Sequence, residues 1–190
     1  MEVTKQKWNK YSFKDLRATA QELFKDFAAS PKSYYFWGTN GTGKTLTLNV
    51  LIQERMNHII KNRVRNCNCY ITNTDEITDA YIKRNESDNF KELMEYSVLG
   101  IDDVGDTYLN TPNSREYTLA ALNRLIRSRG DDEKVTLITS EAPLTASTNK
   151  KYSLKQSIGQ RLASYLTEYC IQVEFTGSDK RMEKEREINV

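Results

Sequence analysis

Eight consecutive residues, Gly38-Thr39-Asn40-Gly41-Thr42-Gly43-Lys44-Thr45, have the types and spacing to hold a phosphate. They fit the pattern G-x-x-x-x-G-K-[ST] at every fixed position. The glycines let backbone N–H groups turn inward around an anion, and a helix starting there adds the positive end of its dipole. Lys44 would reach the terminal phosphates of a nucleotide, and the Thr45 hydroxyl would hold Mg2+. A second group of residues complements the first. Val98-Leu99-Gly100-Ile101-Asp102-Asp103 is an apolar run ending in two carboxylates. Asp102 is placed to hold Mg2+ through water beside Thr45, and Asp103 to orient or deprotonate an attacking water. On its own the pair could simply cap a turn. With a phosphate loop upstream, the chemical reading is the stronger one.

Such a loop needs a strand before it and a helix after it. Ser33 to Trp37 supplies the strand, apolar on both faces as in a buried parallel sheet, although its aromatic run could also stack bases. Gly43 to Lys61 supplies the helix. Upstream, Phe13, Leu16, Ala20, Leu23, Phe24 and Phe27 recur at three- and four-residue spacing and predict one helix from Ser12 to Ser30-Pro31, with Asp15 completing a loose capping box. Downstream, strands are expected at 68–72, 97–101, 134–140 and 170–175. Helices are expected after Asn73 (capped with Glu76), at 90–96, from Thr111-Pro112 to about Arg129 before Gly130-Asp131-Asp132, and at 157–169; 145–155 reads as loop. Strands alternating with helices imply an α/β fold, a parallel five-stranded sheet sandwiched between helices. Ligands of such sheets sit at the carboxyl ends of the strands, where the loop and the acidic pair both fall.

At 190 residues the chain is expected to form one domain with a sizeable core. No apolar run approaches the ~18 residues of a membrane helix, and the polar start carries no apolar signal core, so a cytoplasmic location without a membrane partner is expected. A net charge of +2 neither requires nor excludes nucleic acid. The three cysteines, Cys67, Cys69 and Cys170, are expected as free thiols, and with His58 the only histidine they do not suggest a zinc site. Lys5, Lys7 and Lys10 around Trp8 could form a disordered arm or a docking peptide. Lys61, Arg63 and Arg65 suit either a helix C-terminal dipole or a phosphate backbone.

The order of these segments resembles AAA+ ATPases, specifically the helicase loaders of the DnaC/DnaI type and the related IstB-type transposition ATPases. The resemblance runs from about Phe13 to Arg181. It is carried by Gly38 to Thr45, by Ile101-Asp102-Asp103-Val104-Gly105, by Thr136-Leu137-Ile138-Thr139-Ser140, by Ile158-Gly159-Gln160-Arg161 with Tyr169 to Glu174, and by Gly177 to Arg181. It implies a P-loop core over 12–181; the polar start over 1–11 is expected as an N-terminal arm, the mixed-charge run over 182–190 as a tail, and no C-terminal lid domain is expected. It implies ATP/ADP and Mg2+ as ligands, self-assembly into a homo-oligomer, and assistance in placing a replicative helicase on single-stranded DNA. The alternatives are an IstB-type transposition ATPase and a small-molecule phosphotransferase. Beyond the loop, Asp102 and Asp103, the resemblance implies a phosphate-sensing role for Ser140 beside Thr139, a trans-acting role for Arg161 on a neighbouring subunit's nucleotide, and a cis-sensing role for Arg181. Lys83 and Arg84 are the implied DNA contacts. Two positions depart from the family. Glu141 stands where an asparagine is usual, and is expected to point away from the phosphates. Tyr165 stands where the usual trans-acting arginine sits, so nucleotide binding is a firmer expectation than efficient hydrolysis.

Overall fold

Five short apolar strands organise the molecule: β1 Tyr34–Trp37, β2 Cys69–Asn73, β3 Val98–Asp102, β4 Val135–Ser140 and β5 Ile171–Glu174. The computed structural model describes residues 10–84, 88–105, 112–145, 153–177 and 179. The strands form one sheet in the order β2-β3-β4-β1-β5. Every pairing is parallel. The order places β4 between β1 and β3. Register sets Trp37 opposite Ser140, and Asn73 opposite Asp102. Because β1, β4 and β3 run parallel, the loop after β1 and the carboxylates at the end of β3 leave the sheet at the same, carboxyl, end.

Side-chain alternation along the strands divides the core in two. Tyr34 and Phe36 face one side with Val98 and Leu137, and are covered by Phe24, Phe27, Leu48, Leu51 and Ile52. These come from α1 (Ala18–Phe24), the segment just after it, and α2 (Lys44–Lys61). Tyr35, Leu99, Ile101 and Ile138 face the other side. They are covered by α3 (Thr74–Ile82), α4 (Asn89–Glu95), α5 (Pro112–Asp131), α6 (Leu154–Ile158) and α7 (Gln160–Tyr169). The aromatic run of β1 is thus core: Phe24 packs edge-on against Tyr34 and Phe36, with ring centroids 5.1 and 5.5 Å apart.

Three local expectations are corrected. The helix predicted from Ser12 is interrupted: a 3-10 turn at Phe13–Asp15 is followed by extended Leu16, and α1 begins only at Ala18. Asp15 turns back to accept from both the amide and the hydroxyl of Ser12, at 2.7 and 2.9 Å, which closes the first turn on itself. α6 begins at Leu154, just inside the segment predicted as loop, and the single helix predicted over 157–169 is broken at Gly159, at φ 82°, into the end of α6 and α7. Gly130 lies inside α5, and the chain reverses at Glu133, which is left-handed at φ 55°.

Arg129, fully buried, ties the far end of the sheet together. Its guanidinium donates to the carbonyls of Leu93, Tyr96 and Val135 at 3.0, 2.6 and 2.6 Å, and to the Thr136 hydroxyl at 3.0 Å. Burial pushes its pKa down to about 10, so it remains charged at neutral pH. The last carbonyls of α4 have no partner within their own helix, and a buried cation supplies one.

Candidate nucleotide site

The phosphate loop starts where β1 ends. Gly38 has φ 146°, Gly41 73° and Gly43 100°, a backbone that side-chain-bearing residues rarely adopt. At Gly38 a Cβ would also run into the backbone carbonyl of Phe175, just after β5. Gly43 caps α2, and its carbonyl accepts the amide of Thr47 at 2.9 Å. Lys44 is buried, its Nζ donating to the carbonyls of Gly38 and Thr39 at 2.7 and 2.9 Å. Thr42 donates to the Thr39 carbonyl at 2.8 Å and stiffens the same turn. The Asp179 carboxylate lies against Gly41.

The acidic pair meets the loop as its spacing suggests. Thr45 Oγ1 donates to Asp102 Oδ1 at 3.0 Å. The same oxygen accepts from Thr139 Oγ1 at 2.7 Å. Asp103 is left-handed at φ 60°, and its amide donates to the Thr139 hydroxyl at 2.8 Å. That turn carries Asp103 off the strand, and the Val104 amide returns to the Thr139 carbonyl at 2.8 Å. Partial desolvation raises the Asp103 pKa above its ordinary value, with further contributions from Asp102 and Glu141, opposed by Lys44.

Several candidate residues fall elsewhere. Ser140 is buried, and its hydroxyl accepts the Ala142 amide at 3.3 Å rather than meeting the acidic pair. Alternation along β4 gives that contact to Thr139 instead. Glu141 does not point away: its Oε1 accepts from Asn40 Nδ2 in the loop at 2.5 Å. Asn40 is the neutral donor that draws this carboxylate in. Arg161 is exposed on the first turn of α7. Tyr165 turns to its own chain, donating towards the Arg127 carbonyl and Asp131 at 3.3 and 3.2 Å beneath the Arg127 guanidinium. Burial, then Asp131, push its pKa up to about 12. Arg84 folds back over the Tyr81 ring, and Lys83 is exposed at the end of α3. Arg181 and Trp8 lie outside the described residues. The contacts of Thr139 and Asn40 were the parts sequence reasoning missed. A threonine one residue before the end of β4 was the available signal for the first.

Beside the loop lies a cavity of about 190 Å³, lined by Leu16, Arg17, Ala20, Leu23, Thr42 and Phe175 among others. Its wall is held by Arg17, which donates to the Thr176 carbonyl at 2.6 Å. It is roomy, largely apolar and contiguous with Gly43, so it can take a planar base while the loop takes phosphates. Among the described residues no cluster of histidine, cysteine and carboxylate side chains forms a metal centre, and no helix is long and apolar enough to cross a membrane. Cys67, Cys69 and Cys170 are free thiols.

Residues 34–167 match the family model of the AAA ATPases, the ATPase family associated with various cellular activities. No curated protein matches the chain in sequence. Among solved structures, the DnaC helicase loader is similar with a TM-score of 0.71 and 19% identity, over 90% of this chain and 100% of that one. A DnaI structure is similar with a TM-score of 0.58 and 18% identity, over 93% of this chain and 94% of that one. The replication initiator DnaA bound to AMPPCP and single-stranded DNA gives 0.65 and 20%, over 96% of this chain and 56% of that one. The chain thus spans little more than half of that DnaA structure, and at these identities the likeness is one of fold.

Proposed function

The chain belongs to the AAA family of ATPases, and from that premise we propose that it binds ATP with Mg2+ and uses the nucleotide to control assembly on single-stranded DNA, assisting placement of a replicative helicase. The observation that carries the nucleotide part is the 3.0 Å contact between Thr45 and Asp102 at the mouth of a glycine-rich loop. A hydroxyl and a carboxylate in this position form the oxygen-donor set that Mg2+ takes. When bound, Mg2+ would neutralise charge on the phosphates.

Each residue has a task in this reading. Lys44 exchanges its two carbonyl partners for phosphate oxygens. The backbone amides from Gly38 to Thr45 cradle the phosphate chain. Thr139 fixes Asp102 and the amide of Asp103 together, so the two carboxyls keep separate jobs. Asp103, with its raised pKa, takes a proton from the attacking water. Arg161, exposed on α7, reaches the nucleotide of a neighbouring subunit, and Arg181 serves its own. The helicase and DNA part is supported by the fold shared with DnaC, DnaI and DnaA.

Two measurements test this. Calorimetry of the wild type and Lys44→Ala with ATP and Mg2+ should show binding only in the first. Co-purification of the tagged chain in the presence of ATP should recover a replicative helicase. Recovery of a transposase instead would favour the IstB-type reading, and DNA-independent phosphorylation of a small acceptor would overturn both.

A further inference from the structure

We propose that Glu141 sets the discrimination of this site between nucleoside triphosphate and diphosphate, by holding an anionic carboxylate beside the seat of the terminal phosphate. The inference rests on the nucleotide reading above and deepens it. Glu141 directly follows Ser140, the last residue of β4, and β4 lies between β1 and β3. The residue therefore leaves the sheet between the phosphate loop and the acidic pair. Its carboxylate spans the gap to the loop, accepting from Asn40 Nδ2 at 2.5 Å. Asn40 immediately precedes Gly41, so the contact is to the loop's own tip.

The charges at this end are unequal. Lys44 is the buried cation of the loop. Against it stand Asp102, Asp103, Glu141 and, beside Gly41, Asp179, and Asp103 feels the fields of both Lys44 and Glu141. Asp102 is engaged by two hydroxyls. Glu141 is engaged by a neutral amide, which positions its charge without cancelling it. A nucleotide places its terminal phosphates at the lysine of such a loop. The additional phosphate of a triphosphate is thus the group brought nearest to this carboxylate-rich end. Glu141 is exposed, so solvent weakens its field and the effect is a preference rather than an exclusion.

The test compares the affinity of the full chain for ADP and for a non-hydrolysable ATP analogue, each with Mg2+, at low ionic strength. Calorimetry is run on the wild type, Glu141→Gln and Glu141→Asp. Glu141→Gln keeps the shape and the acceptor for Asn40 but removes the charge. It should raise the ratio of triphosphate to diphosphate affinity about tenfold. Glu141→Asp keeps the charge and should leave the ratio within about twofold of the wild type. An unchanged ratio in Glu141→Gln, an equal gain for both nucleotides, or an equal shift in Glu141→Asp would each overturn the inference while leaving nucleotide binding intact. Failure of the wild type to bind either nucleotide would instead overturn the reading of the site itself.

Discussion

The hydroxyl of Thr139 donates to Asp102 at 2.7 Å while accepting the amide of Asp103 at 2.8 Å, so one side chain on β4 locks both halves of the acidic pair ending β3. The lock explains how Asp103 can hold a left-handed backbone at φ 60° directly after a strand. Such a conformation costs about 1 kcal/mol or more for a residue with a side chain, and the surrounding bonds must offset it.

Thr139→Val should break this lock with almost no change of shape. It removes the donor to Asp102 and the acceptor for the Asp103 amide. We expect a loss of about 1–3 kcal/mol in stability, read by urea denaturation. Mg2+-dependent ATP hydrolysis should fall about tenfold, because Asp103 no longer has a fixed position. Removing the hydroxyl of Ser140, which accepts the Ala142 amide and does not meet the acidic pair, should spare the metal dependence.

Asp103→Asn should separate binding from hydrolysis. Asparagine tolerates the left-handed backbone and keeps the size of the side chain, but it cannot take a proton. Hydrolysis should fall by about a hundredfold or more while calorimetric affinity for ATP persists. A carboxyl whose folded pKa is raised favours the folded state most when protonated. Its contribution to stability is thus greatest in acid and is lost as pH rises from the ordinary value through the raised one. Asp103→Asn removes this titration, so its stability relative to the wild type should grow as pH rises through that range, read by urea denaturation across pH without nucleotide.

Arg129→Met should be among the most damaging changes far from the site. The methionine fills much of the volume but leaves the carbonyls of Leu93, Tyr96 and Val135 without their donor. A loss of about 3 kcal/mol is expected by denaturant titration, since buried polar groups would be stranded. Nucleotide affinity of the fraction that remains folded should be unchanged.

Arg161→Ala tests assembly. The residue is exposed and contributes nothing to the core. Binding of ATP to dilute subunits should therefore be unaffected, while hydrolysis at high protein concentration should drop about a hundredfold or more if this arginine serves a neighbour's nucleotide. A rate that is independent of both concentration and Arg161 would remove it from the mechanism.

Much of this architecture was legible in the amino-acid sequence. Strand and helix periodicities fixed the order of the elements, and the loop from Gly38 to Thr45 identified itself because its glycines, lysine and threonine have few other uses at that spacing. Asp102 and Asp103 followed from their place at the end of an apolar run. These are local properties, set by residue type and short-range spacing. The interrupted first helix was less legible, because the apolar spacing runs on unbroken through Leu16, where the backbone is extended. Contacts across the sheet were settled only by tertiary structure. Thr139 meets Asp102, and Glu141 meets Asn40, because β4 inserts between β1 and β3, an order the sequence does not state. The buried role of Arg129 has the same origin: nothing in an exposed-looking helical arginine reveals that the end of α4 and the start of β4 will close around it. Sequence determined which groups could handle a phosphate; strand order decided which of them stand together, because hydrogen bonds and charge interactions act over a few ångströms of space rather than along the chain.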